Sequence, residues 1–166
     1  PESQTPTPTR NSPIPRKTAN NLSKFSFEVV TVNASGVIIN RRNREAEFFR
    51  EYINSVSLEM VSIPGGTFMM GSPDTEEKRR SNEGPQHQVT VASFFMGKYP
   101  VTQAQWEAVA ALPQVNISLN ANPSGFKGAN RPVENVSWDE AREFCARLAR
   151  KTAKNYRLPS EAAWEY

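Results

Sequence analysis

Cys145 and His87 are the only thiol and the only imidazole among 166 residues. A nucleophilic thiol wants an electropositive, partly exposed setting with a base in reach. Cys145 instead lies between Ala141 and Leu148 at helical spacing, on a stripe that also holds Trp138 and Phe144. That spacing reads as a buried helix face. His87 stands between a charged loop and the start of an alternating run, and nothing in the spacing places it beside Cys145. A structural zinc site takes four N or S ligands, so this pair alone does not assemble one. One Cys also excludes an internal disulfide.

Carboxylates are the remaining candidates. Asp74, Glu76, Glu77 and Glu83 crowd one segment, and oxygen ligands of this kind build calcium sites. The segment lacks the Asp-x-Asp-x-Asp-Gly pattern, however, and Lys78, Arg79 and Arg80 neutralise it, so it reads as a solvated loop. Gly65-Gly66 has neither the Gly-x-Gly-x-x-Gly spacing nor the Lys-Ser/Thr ending of a phosphate cradle. Trp106, Trp138 and Trp164 read as core anchors rather than a sugar-stacking platform. No catalytic, cofactor-binding or metal-ligating set emerges. The residues that could meet a ligand are the polar ones in two irregular segments. These are Asp74, Glu76, Glu77, Arg79 and Arg80 in 72–86, and Asn120, Asn122 and Lys127 in 111–130. Binding side chains concentrate on such loops when a rigid scaffold holds them.

The scaffold is legible from periodicity. Phe25, Phe27 and Val29 alternate with Ser26, Glu28 and Val30, Asn33-Ala34-Ser35-Gly36 is turn chemistry, and Val37-Ile38-Ile39 restarts the apolar run. This predicts a β-hairpin. Ala46, Phe49 and Ile53 at spacings of three and four predict a short amphipathic helix over 43–53. Leu58–Ile63 and Thr67–Met70 flank Pro64-Gly65-Gly66, which predicts a second hairpin. Val89, Val91 and Phe94-Phe95-Met96 predict one or two further strands. Thr102 with Gln105 and Ser137 with Glu140 match the capping box and announce two helices. Arg147, Arg150 and Lys151 are placed in the last turn of the second, where the helix dipole favours cations. A third helix starts at Ser160. Short strands, irregular loops and segregated helices make an α+β fold.

Residues 1–24 are rich in Pro, Thr, Ser and Asn and nearly free of large apolar side chains. They are predicted to be a disordered linker. They hold four basic residues against Glu2, which accounts for the whole formal charge of +3, so residues 25–166 are neutral. A basic face of the kind nucleic acid requires is therefore not predicted. No run approaches the ~18–20 apolar residues of a membrane span and no leader pattern stands at the start, so a cytoplasmic location is the default expectation. The first residue is not Met, and Trp164 and Tyr166 end the chain on a helical pattern that wants something to pack against. Both ends read as cut.

Together the motifs form a recognisable series. Met60–Ser72 (MVSIPGGTFMMGS) opens it, and Glu83–Val91 (EGPQHQVTV) and Phe95–Gln103 (FMGKYPVTQ) with Trp106 follow. Arg131–Trp138 (RPVENVSW), Phe144-Cys145 and Tyr156–Tyr166 (YRLPSEAAWEY) complete it. This order resembles the formylglycine-generating enzyme family (sulfatase-modifying factor domains) over about 107 residues. The resemblance implies an irregular C-type-lectin-like fold of which 58–166 is the first half, with 25–57 as a lead-in of hairpin plus short helix. It implies that the copper-binding redox cysteine pair, the usual calcium ligands and the Gly-Asn-Val-Trp-Glu-Trp signature lie in the second half. No position here matches them, and Cys145 falls outside the catalytic pair. The missing C-terminal half of the domain is then this segment's first partner. Some members oxidise a sulfatase cysteine to formylglycine, and others act in sulfoxide synthesis through an iron-binding His motif that has no counterpart here. Many bacterial members resemble ligand-binding modules joined by Pro/Thr-rich linkers to signalling domains. The resemblance thus implies either a non-catalytic binding or sensory module, with a protein or glycan ligand at the loops, or the front half of a copper-dependent oxidase.

Overall fold

The computed structural model describes residues 22–166. Strands Ser23–Val32 (β1) and Ile38–Ile53 (β2) form an antiparallel hairpin. In its turn Asn33 Oδ1 accepts hydrogen bonds from the Ser35 and Val37 amides, and Gly36 adopts φ +77°. This is the hairpin that the alternation around residue 30 predicts, but both strands run further. Ser23 and Lys24, read from sequence as the end of a linker, pair with Phe48 and Glu47. The rest of that linker reading, residues 1–21, lies outside the described residues.

The helix predicted over 43–53 is instead the second half of β2. Both of its edges find strand partners, since Asn43–Phe48 pair with β1 and Phe48–Ile53 pair with Val56–Ile63 (β3). Ladder bonds on two sides outcompete a local helix, because tertiary pairing overrides a weak intrinsic preference. Phe49 and Ile53, four apart in sequence, share a sheet face as readily as a helix face. Both are buried there.

The second predicted hairpin also resolves differently. β3 and Gly66–Met70 (β4) are both strands, yet they do not pair with each other. β3 already has β2 on one side and Phe94–Gly97 (β6) on the other, giving a four-stranded antiparallel sheet in the order β1-β2-β3-β6. Pro64-Gly65 carries the chain out of that sheet into a second one, where β4 pairs with His87–Val91 (β5). Gly65 is required at the crossing because a Cβ there would stand 2.7 Å from the Ser93 amide nitrogen and the Val91 carbonyl oxygen. Segment 72–86 is a loop apart from one 3-10 turn at Ser81–Glu83.

The helices follow their caps. In Gln103–Ala110 (α1), Thr102 Oγ1 accepts from the Gln105 amide, while Gln105 accepts from the Thr102 amide at 2.9 Å and donates to the Ser57 carbonyl at 2.7 Å. Trp138–Thr152 (α2) starts with the Ser137–Glu140 box and ends at Ala153 in the left-handed region, φ +55°. Glu161–Glu165 (α3) is capped by Ser160.

One core joins these layers. Phe49, Ile53, Leu58 and Met60 from the sheet meet Trp106 and Val109 from α1 and Phe144 and Leu148 from α2. The Trp106 and Phe144 rings stack at 5.3 Å with 8° between their planes, a geometry that adds to simple area burial. Trp138 and Trp164, read from sequence as core anchors, are 65% and 75% exposed. Each belongs to the solvent side of its helix; Trp138 lies at the first turn of α2, ahead of the buried stripe. Beyond the core, Lys98 holds β1 to the sheet: its ammonium lies 4.0 Å from the Phe25 ring centroid and donates to Glu59 at 3.2 Å. Burial pushes the Glu59 carboxyl up, but hydrogen bonds from Arg50 and Lys98 outweigh it and hold the group below its ordinary value.

Leu148 is almost completely buried between both helices and the sheet. Leu148→Ala is expected to lower the unfolding free energy by about 3 kcal/mol through the cavity it leaves. Urea denaturation measures this, and a loss below about 1 kcal/mol would show that the α2 face is not part of a packed core.

Candidate functional site

Helix α2 places Glu143 and Arg147 four residues apart on the face that also carries Phe144 and Leu148. Both are buried, with only 1% and 4% exposed. Arg147 Nε donates to Glu143 Oε1 at 2.7 Å. The pair then turns outward to the loop after α1. Glu143 accepts from the amides of Val115 (2.8 Å), Asn116 (2.8 Å) and Ile117 (3.3 Å) and from the Asn116 side chain. Arg147 donates to the carbonyls of Ala110 (2.6 Å), Leu112 (3.1 Å) and Ile117 (2.8 Å). Every buried polar side-chain atom among the described residues has a partner, which is the condition for such a pair to be tolerated in a core. Arg147 therefore sits mid-helix and inside, not in the exposed last turn; Arg150 and Lys151 are the cations there.

The neighbouring stretch is held from α1. Trp106 Nε1 donates to the Asn120 carbonyl at 2.8 Å. Gln103 donates to the Phe126 carbonyl at 2.8 Å and accepts from the Gly128 amide at 3.0 Å. Glu134 accepts from the Phe126 amide at 2.9 Å. Of the residues singled out from sequence, Asn120, Asn122 and Lys127 are brought together. Asn120 Oδ1 accepts from the Asn122 amide, and Lys127 donates to both the carbonyl and the side chain of Asn122.

In segment 72–86 the structure joins Asp74 to Arg79 at 3.3 Å, and Arg79 Nε donates to the Ser72 carbonyl. The Arg80 amide donates to Glu83 at 3.1 Å. The side chains of Glu76 and Glu77 are exposed. Gly71, at φ +92°, anchors the base of this loop: its amide donates to Glu165 at 2.7 Å and its carbonyl accepts from Gln86. A Cβ at Gly71 would meet the Glu83 carbonyl oxygen at 2.6 Å. Among the described residues, no hydrogen bond or ion pair joins segment 72–86 to segment 111–130. They are two separate displays on one scaffold.

A third feature is an open groove of about 450 Å³ between β6 and the segment before α3, walled by Phe49, Phe94, Phe95, Met96, Tyr156 and Pro159. Tyr156 donates to Glu51 at 2.7 Å; burial first, then that hydrogen bond and the Glu51 charge, push its phenol far above the usual range. Cys145 packs against the core and burial pushes its thiol up, the setting of an inert cysteine. His87 is exposed on β5 with its ring against the Pro85 carbonyl. Among the described residues no three His, Cys, Asp or Glu side chains converge on a metal position. This chain's donors do not fit copper, because its single thiol faces an apolar core. Among the described residues no helix is long and apolar enough to cross a membrane.

Glu143 and Gln103 were not singled out from sequence, and Arg147 was read there only as a cation of the helix's last turn. The available signal was a charged pair at i and i+4 lying inside an apolar helical stripe, where an unpaired charge is too costly to bury.

Two small antiparallel sheets, three capped helices and long loops pinned by buried polar side chains define a C-type-lectin-like scaffold of the formylglycine-generating-enzyme type. The chain belongs to the sulfatase-modifying factor enzyme 1-like domain family, whose pattern matches residues 47–166. It is 38% identical over 103 residues to Chaperone protein LppX of Paenibacillus barcinonensis, covering 61% of this chain and 30% of that protein. To the formylglycine-generating enzyme of Mus musculus it is 31% identical over 151 residues, covering 65% of this chain and 39% of the enzyme. Among solved structures, PvdO from Pseudomonas aeruginosa superposes with a TM-score of 0.58 at 32% identity, covering 70% of this chain and 49% of PvdO. The chain thus spans less than half the length of each. Other relatives bear the names Inactive C-alpha-formylglycine-generating enzyme 2, Hercynine oxygenase and Serine/threonine-protein kinase Pkn1. The family scaffold therefore serves active, inactive and oxygenase-type proteins alike.

Glu143 supplies a pH test. Burial raises its carboxyl, but Arg147 and the three loop amides outweigh this and hold it at about 2, against an ordinary 4.5. A carboxyl depressed in the folded state stabilises the fold above its unfolded value and loses that contribution as pH falls towards the folded one. The gap is worth on the order of 3 kcal/mol at neutral pH. Stability is therefore expected to drop between pH 4.5 and about 2. In Glu143→Gln that slope should flatten and neutral-pH stability fall by about 3–5 kcal/mol, because Arg147 is left buried and unpaired. Urea titrations across this range check it; parallel pH curves for both proteins would contradict it.

Proposed function

We propose that this chain is the scaffold-bearing part of a non-catalytic ligand-binding or sensory module that presents a protein or glycan ligand with its two polar loops. The observation that carries this reading is the buried Glu143–Arg147 pair, whose hydrogen bonds go to backbone groups of residues 110–117. A charge pair committed in this way makes a loop rigid without offering a reactive group. Preorganised loops bind with less ordering entropy to overcome. Beside it, Asn120, Asn122 and Lys127 form an exposed polar set, and on the other loop Asp74, Glu76, Glu77 and Arg80 are exposed around the half-buried Arg79. Relatives named as a kinase, a chaperone and an inactive enzyme support a scaffold that works as an attached module. A second reading has its own support: similarity to the mouse formylglycine-generating enzyme over 151 residues. There the chain would be the front half of a copper-dependent oxidase, with the redox cysteines and the surface covering Trp164 supplied from beyond these residues.

The test uses the full-length protein. Incubated with copper and a cysteine-containing sulfatase peptide, it is expected to leave the cysteine unconverted by mass spectrometry. On glycan and peptide arrays it should retain ligands whose binding falls at least about tenfold in Lys127→Ala and Asn122→Ala, a loss typical of a polar contact in a binding site. Formylglycine in the peptide would overturn the module reading in favour of the oxidase. Array binding that ignores both loop variants would overturn the loop assignment.

A further inference from the structure

β1 forms one edge of the four-stranded sheet, and among the described residues no strand pairs with its outer side. An open edge presents a row of backbone N–H and C=O groups to any strand that can lie beside it. The family pattern begins at residue 47, so β1 and the part of β2 that it pairs with stand almost wholly outside the shared scaffold. Along the edge, Leu22, Phe27, Val29 and Val30 are exposed.

We infer that β1 pairs antiparallel with β1 of a second copy of this chain, about a two-fold axis passing through Ser26. Opposed residues in an antiparallel pair share a sheet face, which fixes who meets whom. With the axis at Ser26, Lys24 of each copy lies opposite Glu28 of the other, and Phe25 lies opposite Phe27. Leu22 meets Val30, Ser26 meets Ser26, and only Ser23 with Val29 is a mixed pair. Symmetry makes two ion pairs and two aromatic pairs, both favourable kinds of cross-strand contact. Neighbouring registers lose this match. An axis at Phe27 sets Lys24 against Val30 and Glu28 against Ser26. An axis at Glu28 sets two carboxylates against each other, and one at Phe25 sets Glu28 against Leu22. Within one copy Lys24 already lies 3.6 Å from Glu45 and Glu28 accepts from Arg41, so the edge is charged in a fixed alternation before a partner arrives. A bilayer is the poorer occupant even though Val32, Val37, Ile38 and Ile39 are exposed at the hairpin end. Open strand edges do not enter hydrocarbon, where their backbone groups would go unpaired. This inference stands apart from the loop reading, and either can fail alone.

Sedimentation velocity on the full chain is expected to show a concentration-dependent monomer–dimer equilibrium. Lys24→Glu or Glu28→Lys alone should weaken the dimer at least about tenfold, and the double variant should recover most of that loss, the signature of a direct pair in a mutant cycle. Recovery would have to arise between copies, since the double variant sets like charges beside Glu45 and Arg41 within each chain. In a Cys145→Ser background, Ser26→Cys should form a disulfide-linked dimer under mild oxidation, whereas Thr31→Cys should not. A chain that sediments as a monomer throughout, a dimer indifferent to the charge exchange, or equal cross-linking at 26 and 31 would each overturn the proposal.

Discussion

The conformation of the longest irregular segment depends on a carboxylate and a guanidinium buried in α2. Glu143 and Arg147 occupy buried positions that helical periodicity would give to Leu or Ala, yet their polar atoms are hydrogen-bonded. Beyond their mutual bond, nearly all their hydrogen bonds go to backbone groups of residues 110–117. Those backbone groups would otherwise be polar and partly buried without partners, a condition that proteins avoid. The charge pair and the loop thus solve each other's problem. Neither could be replaced by an apolar counterpart without stranding the other.

A similar reciprocity decides the sheets. β3 lies between β2 and β6, so both of its ladders are taken. β4, three residues further on, cannot fold back on it and instead pairs with β5. The Pro64-Gly65-Gly66 sequence has the composition of a tight hairpin turn, and local chemistry alone supports that reading. Competition for strand edges overrules it. The same competition turns residues 43–53 into a strand, because β1 and β3 offer ladder partners on both sides, while the short amphipathic pattern offers one face and few helix-forming turns.

What was legible in the sequence is what local physics determines. The β1–β2 turn was legible because Asn33 and Gly36 form it within four residues. The three helix starts were legible because Thr102, Ser137 and Ser160 satisfy orphan amides within a single turn. The α2 stripe was legible through Phe144 and Leu148. What was not legible depends on partners distant in the chain: which strands share an edge, which Trp reaches the core, and which charge goes inside. Trp106 is buried because Phe144, 38 residues later, stacks on it and Asn120 accepts its N–H. Trp138 has no such partner and lies instead against the Arg142 guanidinium at the surface. The loop residues Asn120, Asn122 and Lys127 were legible as exposed and polar, but their grouping rests on Gln103 and Trp106, which no loop composition reveals.

This arrangement separates the parts that hold the loops from the parts that face outward. Gln103, Trp106, Glu134, Glu143 and Arg147 contact the loop almost entirely through backbone amides and carbonyls. A backbone contact is indifferent to the side chain that the loop residue carries. Exposed positions such as Asn122, Lys127 or Glu77 can therefore change without altering what the anchors bind, whereas exchanging an anchor disturbs every loop residue at once. A family whose relatives include an enzyme, a chaperone and a kinase by name needs a scaffold with that property. The Glu143–Arg147 pair gives this chain a physical basis for it, since the charge that fixes the loop is buried beneath it rather than exposed on its surface.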